Sequence, residues 1–201
     1  DDNASGVAGV LEIAEYLEWL KGRGKLTLRR DILFAAWSGE ELGLLGSSYF
    51  TRTFGAKKGE PSTLTPAIAA YLNMDMIGRL DKALVVQGVG SSSAWSQEIE
   101  RRNVPIGLPI VAQADSHLPT DATSFYLKGV PILNAFTGAH KDYHTPRDTA
   151  DSINYPGAEK IVRFMASVTR SLATRKGVPN YSAVKRVEGS RGRKRMRLYM
   201  G

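Results

Sequence analysis

The chain has no cysteine among its 201 residues. Disulfides therefore play no part in the fold, and thiolate zinc sites, iron–sulfur clusters and cysteine nucleophiles are excluded. Histidine is scarce as well, with three in the whole chain. Any metal has to be held by Asp, Glu and one of these imidazoles. Long apolar runs are also missing: no window approaches the ~18 uncharged apolar residues of a membrane-spanning helix. Net positive charge is lacking from most of the chain, although the total is +7. Residues 185–201 hold Lys185, Arg186, Arg191, Arg193, Lys194, Arg195 and Arg197 against Glu188 alone, which leaves the body close to neutral. A basic run of this kind can meet nucleic acid or an acidic membrane, but it is more often a solvated linker. It is read here as a linker, and no nucleic-acid partner is expected.

What is present suits one α/β domain with its own core, since 42% of the residues are hydrophobic and 23% charged. From Ala4 to about Lys21, Val7, Val10, Leu11, Ile13, Ala14, Leu17 and Leu20 recur at helical spacing. Asp2, Asn3 or Ser5 can cap this helix, and Gly22 and Gly24 end it. Ile32–Trp37 is a continuous apolar run of the kind that forms a strand buried on both faces. A helix is expected from Glu40-Glu41 to Phe54 and a loop over Gly55–Thr65. Further strands are expected over Ala67–Met74, Ala83–Gln87, Ile106–Ala112 and Val130–Phe136. Helices are expected over Ser91–Arg102, Asp121–Lys128 and Ala158–Thr174. Such alternation predicts a three-layer α/β/α sandwich around a mostly parallel mixed sheet, with ligands beyond the carboxyl ends of its strands.

Three short stretches stand out against this frame: Asp1-Asp2-Asn3-Ala4-Ser5-Gly6, Glu40-Glu41 and Tyr143-His144-Thr145-Pro146. A fourth, Asp75, closes an apolar strand, where a carboxylate is expensive to bury unless paired or metal-bound. Each has a plainer reading. An Asp before a helix is commonly an N-cap, and Glu-Glu at a helix start complements the helix dipole. Together, carboxylates and one imidazole suit a pair of zinc ions, and a spare carboxylate beside a ligand carboxylate suggests a water-activating base. The combination reads as a metal hydrolase.

The chain resembles the co-catalytic dizinc exopeptidases, the group of bacterial leucyl aminopeptidases, glutamate carboxypeptidases and glutaminyl cyclases. The resemblance is carried by Asp1–Ala8, by Trp37-Ser38-Gly39-Glu40-Glu41-Leu42-Gly43-Leu44-Leu45-Gly46-Ser47, by Asn73-Met74-Asp75-Met76-Ile77-Gly78 and by Tyr143-His144-Thr145-Pro146-Arg147-Asp148-Thr149, and it spans residues 1–175. It implies two zinc ions in the full-length protein. Asp2 would bridge them, Glu41 and His144 would complete one site, and Asp75 would hold the other. Glu40 would be the general base, taking a proton from the water between the ions and returning it to the leaving amine. Tyr143 would offer its hydroxyl to the oxyanion, or simply pack as a wall. The implied function is an aminopeptidase acting on peptides. The alternatives are glutaminyl cyclisation, carboxypeptidase action and a non-catalytic binding domain. A carboxypeptidase would need cations for the substrate carboxylate, and Arg79 and Arg147 are the only ones close to the motifs.

Two departures follow. Relatives carry a His two residues before an Asp, upstream of the Asp-Asp motif, and nothing precedes Asp1. His117 and His140 lie in the wrong place to replace it. The chain is therefore expected to be a piece of a longer protein that has lost the first sheet strands and holds its second ion weakly. Many relatives also carry Ser-Asp-His where this chain has Thr120-Asp121-Ala122. Asp121 is expected to orient a ligand, contact substrate or cap a helix, with Leu118 lining the same pocket. Asp148 is expected to accept a hydrogen bond behind a ligand or to close a turn, and Asp142 and Asp151 to lie on the surface. The resemblance assigns residues 1–176 to the catalytic domain and 177–201 to the basic linker. Lys194–Gly201 resembles the entry to a PDZ-like domain, and the family likeness implies export from the cytoplasm.

Overall fold

The computed structural model describes residues 1–56 and 63–185. Helix α1 (Ala4–Gly22) opens the chain, and α2 (Leu45–Thr53) follows a long connection. Strands β1 (Tyr71–Asp75) and β2 (Leu84–Gln87) lead through a 3₁₀ turn (Val89–Ser91) to α3 (Trp95–Asn103). Strand β3 (Ile110–Ala112), α4 (Ala122–Tyr126), β4 (Ile132–Phe136), a second 3₁₀ turn (Ala150–Ser152) and α5 (Tyr155–Thr174) complete it. The strands form one sheet in the order β1-β4-β2-β3. β1 runs parallel to β4 and β2 parallel to β3, while β2 and β4 are antiparallel. The expected layers are present. Helices α1, α3 and α5 cover one face, and α2 and α4 the other.

Each face has its own core. On the first, Ile13, Leu17 and Leu20 of α1 meet Ile161, Phe164, Met165 and Val168 of α5 over Leu84, Val86 and Leu133 of the sheet. Asn154 caps α5 by accepting from the Gly157 amide, and Pro156 sits in its first turn, where no helical N–H is lost. On the second face, Phe125 and Tyr126 of α4 close over Leu118, Val130 and Ile132. Tyr71 stacks on Phe125 at 4.0 Å, with Trp37 and Phe50 beside them. The central strand β4 is buried from Ile132 to Ala135, as its apolar run requires.

Two elements differ from the sequence reading. Ile32–Trp37 forms no strand, and Leu33 and Phe34 are 69% and 40% exposed. This run faces the Tyr71–Met74 segment across a groove of about 740 Å³. No strand among the described residues pairs with it, and an apolar run without a hydrogen-bonding neighbour is not a strand. The helix expected from Glu40 begins instead at Leu45. Residues 39–44 form a tight turn in which the Gly43 and Leu44 amides both donate to the Glu40 carbonyl, at 3.0 and 2.9 Å. The remaining elements shift by a few residues at their ends. Asp142 is a further correction: it is buried, because Arg79 and Arg147 reach its carboxylate. Most of the basic segment, with Lys194–Gly201, lies outside the described residues.

Candidate metal centre

Four segments meet at the carboxyl end of β1. Asp2 lies one residue ahead of Asn3, the N-cap of α1. The Asn3 carboxamide does more than cap. Its oxygen accepts from the Gly6 and Met76 amides, and its nitrogen donates to the Met74 carbonyl at 3.0 Å. Asp2 is thereby fixed beside Asp75, the last residue of β1. Gly6 sits so close to the Met74 carbonyl that any side chain there would collide with it. Glu40 and Glu41 come from the turn before α2, and His144 from the loop after β4. Leu44, Met76 and His144 all have left-handed backbones, with φ of 58°, 51° and 56°. Non-glycine residues hold such conformations only where their surroundings over-determine them. One such residue occurs in each segment that bears Glu41, Asp75 or His144.

Three donor atoms converge. His144 Nε2 lies 2.6 Å from Glu41 Oε1 and 3.1 Å from Asp2 Oδ2. The three ligand atoms all lie within 4.8 Å of one another. One imidazole nitrogen facing two carboxylate oxygens from three distant segments is a donor set that fits zinc or a similar divalent ion. Asp75 stands outside this group of three. It lines the same cavity of about 400 Å³ as Glu40, Glu41, Asn73, Asp121 and Tyr143. The Tyr143 ring stacks on His144 at 3.7 Å. Leu118 is turned away into the core of α4, and its neighbours Pro119 and Thr120 line the cavity instead.

Crowded acids shape the electrostatics. Burial first, then the charges of Glu41, Asp121, Asp75 and Asp2, push the Glu40 carboxyl up to about 7. Burial and the nearby Asp2, Glu41 and Asp121 raise Asp75 to about 6. Burial also raises Asp121, against a hydrogen bond from Ser47 that lowers it. The Tyr143 phenol is raised by burial and by the surrounding carboxylates. His144 is raised chiefly by its hydrogen bond with Glu41. Five carboxylates with so little compensating charge are what a bound cation would relieve.

The model of peptidase family M28 matches residues 1–169 of this sequence. The chain belongs to peptidase family M28. A probable leucine aminopeptidase 2 of Aspergillus oryzae is 32% identical over an alignment of 149 residues that covers 69% of this chain and 27% of that protein. Leupeptin-inactivating enzyme 1 of Streptomyces exfoliatus is 30% identical over 139 residues, 69% of this chain and 29% of that protein. The chain thus spans less than a third of these curated relatives. The crystal structure of a zinc aminopeptidase from Bacillus subtilis shares its fold, with a TM-score of 0.70 at 22% identity, over 92% of this chain and 45% of that one.

Behind the donor atoms of this M28 chain lies a second ring. Asp148 does not line the cavity. Its Oδ2 accepts from the Asp2 amide at 3.0 Å and from the amino group of Asp1 at 2.7 Å, and its Oδ1 accepts from Arg79 at 2.7 Å. Burial opposes its ionisation, but these hydrogen bonds overcome that and hold the carboxyl well below the usual carboxylate range. Arg79 and Arg147 are both engaged by acids, Arg79 by Asp148 and Asp142 and Arg147 by Asp142. The second roles of Asn3, Arg79, His140 and Asp142 were missed by sequence reasoning. The one signal available was position, since His140 and Asp142 both lie within four residues before His144.

Proposed function

We propose that this chain carries the catalytic site of a zinc aminopeptidase of the M28 family, with peptides bearing a free N-terminal residue such as leucine as substrates. The observation that carries the reading is the placement of Glu40. Its carboxyl, pushed up to about 7, lines the same cavity as Glu41, Asp75 and Tyr143, beside the Asp2–Glu41–His144 donor set. Asp2, Glu41 and His144 would hold one zinc ion, and Asp75 together with Asp2 a second. Zinc there would supply Lewis acidity to the scissile carbonyl and to water. Glu40, lining the cavity beside the donor set, would act as the general base, accepting a proton from water and returning it to the leaving amine. Tyr143, which lines the cavity and stacks on His144, would donate its hydroxyl to an oxyanion.

The cavity's charge supports an exopeptidase that reads an amino terminus. Glu40, Glu41, Asp75 and Asp121 line it, and among the described residues no Lys or Arg does. A substrate ammonium is welcome in such a cavity and a substrate carboxylate is not. The two arginines a carboxypeptidase would need are already paired. The test is hydrolysis of leucine p-nitroanilide by zinc-loaded protein. Glu40→Gln should lower kcat by about 10²–10⁴ while zinc binding persists. Undiminished turnover in that variant, or hydrolysis indifferent to a chelator, would remove the reading.

A further inference from the structure

We infer that Arg79 and His140, which touch none of the three convergent donor atoms, are positioning residues that set where Asp2 and His144 stand. The inference rests on the cation-binding reading of those donors. Arg79 Nη2 donates to Asp148 Oδ1 at 2.7 Å, and the other oxygen of Asp148 holds the Asp2 amide at 3.0 Å. Arg79 Nη1 lies 3.8 Å from Asp142 Oδ2. Asp142 and Asp148 lie on either side of His144 in the chain, and the Asp142 carbonyl accepts from the amide and hydroxyl of Thr145, the next residue along. One guanidinium therefore spans the two acids that bracket the imidazole loop, and through Asp148 it also fixes the Asp2 backbone. The Arg79 amide in turn donates to the Thr137 hydroxyl just past β4.

His140 works from the other side. Its Nε2 lies 3.3 Å from Asp1 Oδ2 and 3.8 Å from Asp148 Oδ1. Asp1 Oδ1 accepts from Ser5 Oγ at 2.6 Å and from the Gly78 amide at 2.8 Å, which ties the start of α1 to the chain leaving β1. Both His140 nitrogens, Asp1 Oδ2 and Arg79 Nε are buried and without a hydrogen-bond partner. Burying charges with incomplete pairing is a poor way to gain stability. What such a cluster provides is geometry. It sits directly behind a residue held at φ 56° and a carboxylate aimed at that residue's ring. Groups behind metal ligands orient them, and losing one typically costs 10–100-fold in affinity.

The test is zinc affinity of the whole chain, by competition with a chromophoric chelator, with circular dichroism to confirm that each variant is folded. Arg79→Lys keeps the charge and loses the fork, and it should weaken zinc binding about 10–100-fold. His140→Gln should weaken it about 10-fold, but change it less than about 2-fold once Asp2→Asn is present, because the His140 ring acts through Asp2. Should either variant fail to fold, the other decides. If Asp2→Asn weakens binding while both variants bind like the parent, or if the His140→Gln loss is undiminished beside Asp2→Asn, the positioning role is overturned and the cation reading stands. If the parent chain binds no zinc, the cation reading falls, and this inference with it.

Discussion

Glu40 and Glu41 are adjacent in sequence yet stand in different surroundings. The Glu41 carboxylate meets the His144 imidazole at 2.6 Å, while Glu40 faces the cavity among like charges. The turn that carries them makes the difference, since Gly43 and Leu44 fold back onto the Glu40 carbonyl and keep both acids out of the helix. That the two glutamates were functional candidates was legible in the sequence. That they precede the helix rather than start it was not, because the left-handed Leu44 has no sequence signature. Tyr143 offers a residue-scale test. If its hydroxyl stabilises an oxyanion, Tyr143→Phe lowers kcat for leucine p-nitroanilide by roughly 10²-fold with little change in KM. An unchanged kcat would reduce Tyr143 to a wall that stacks on His144.

The elements carry information that no single motif holds. Asn134, at the centre of β4, is fully buried. Its carboxamide links two neighbours, accepting from Asn73 at 2.9 Å and donating to Gln87 at 2.8 Å. The chain of bonds continues through the Tyr71 hydroxyl to the Trp37 indole. An indole N–H can only donate, so the direction of every bond along this row is fixed from that end. Asn73 thus reaches the cavity with its amide orientation set by the sheet. Asn134→Ala would leave the amides of Asn73 and Gln87 unanswered and should destabilise the fold by about 1–3 kcal/mol, measured by urea unfolding. The periodicity of α1 predicted that helix nearly to the residue, and that of α5 its end at Thr174 but not its first turn from Tyr155. Ile32–Trp37 shows the limit of such patterns: apolar sequence permits a strand, but only a neighbouring strand makes one.

At the scale of the whole molecule, the acid cluster couples stability to pH and to metal. Asp75 rises from 3.8 to about 6 and Glu40 from 4.5 to about 7 on folding. Groups raised in this way give stability that is complete below their unfolded values and is lost as pH climbs through the folded ones. Asp148 works in the opposite sense. Its depressed carboxyl stabilises the fold above the ordinary Asp value near 3.8 and ceases to as pH falls further. The zinc-free chain should therefore have a higher Tm at pH 5 than at pH 7.5, and Glu40→Gln should narrow the gap. Added zinc should raise Tm more at pH 7.5 than at pH 5, because its ligands must be deprotonated. A zinc-free Tm that climbs from pH 5 to pH 7.5 would show that the acids are not crowded as described.

The sequence by itself determined the layered α/β class, the α1 and α5 helices and the identity of the candidate donors, because helical periodicity and the chemistry of Asp, Glu and His are local properties. Only the tertiary structure decided which donors meet. It brought Asp2, Glu41 and His144 together from three segments spread over most of the chain, left Asp75 on the cavity wall and turned Leu118 into the core. It also joined buried Asp142 and half-buried Arg79 and His140 into one network through Asp148, residues that sequence reading had set aside or given another part. Convergence of this kind depends on strand order, on turns in left-handed backbone and on charges that become strong only when buried together. None of these is encoded in the spacing of residues along a chain.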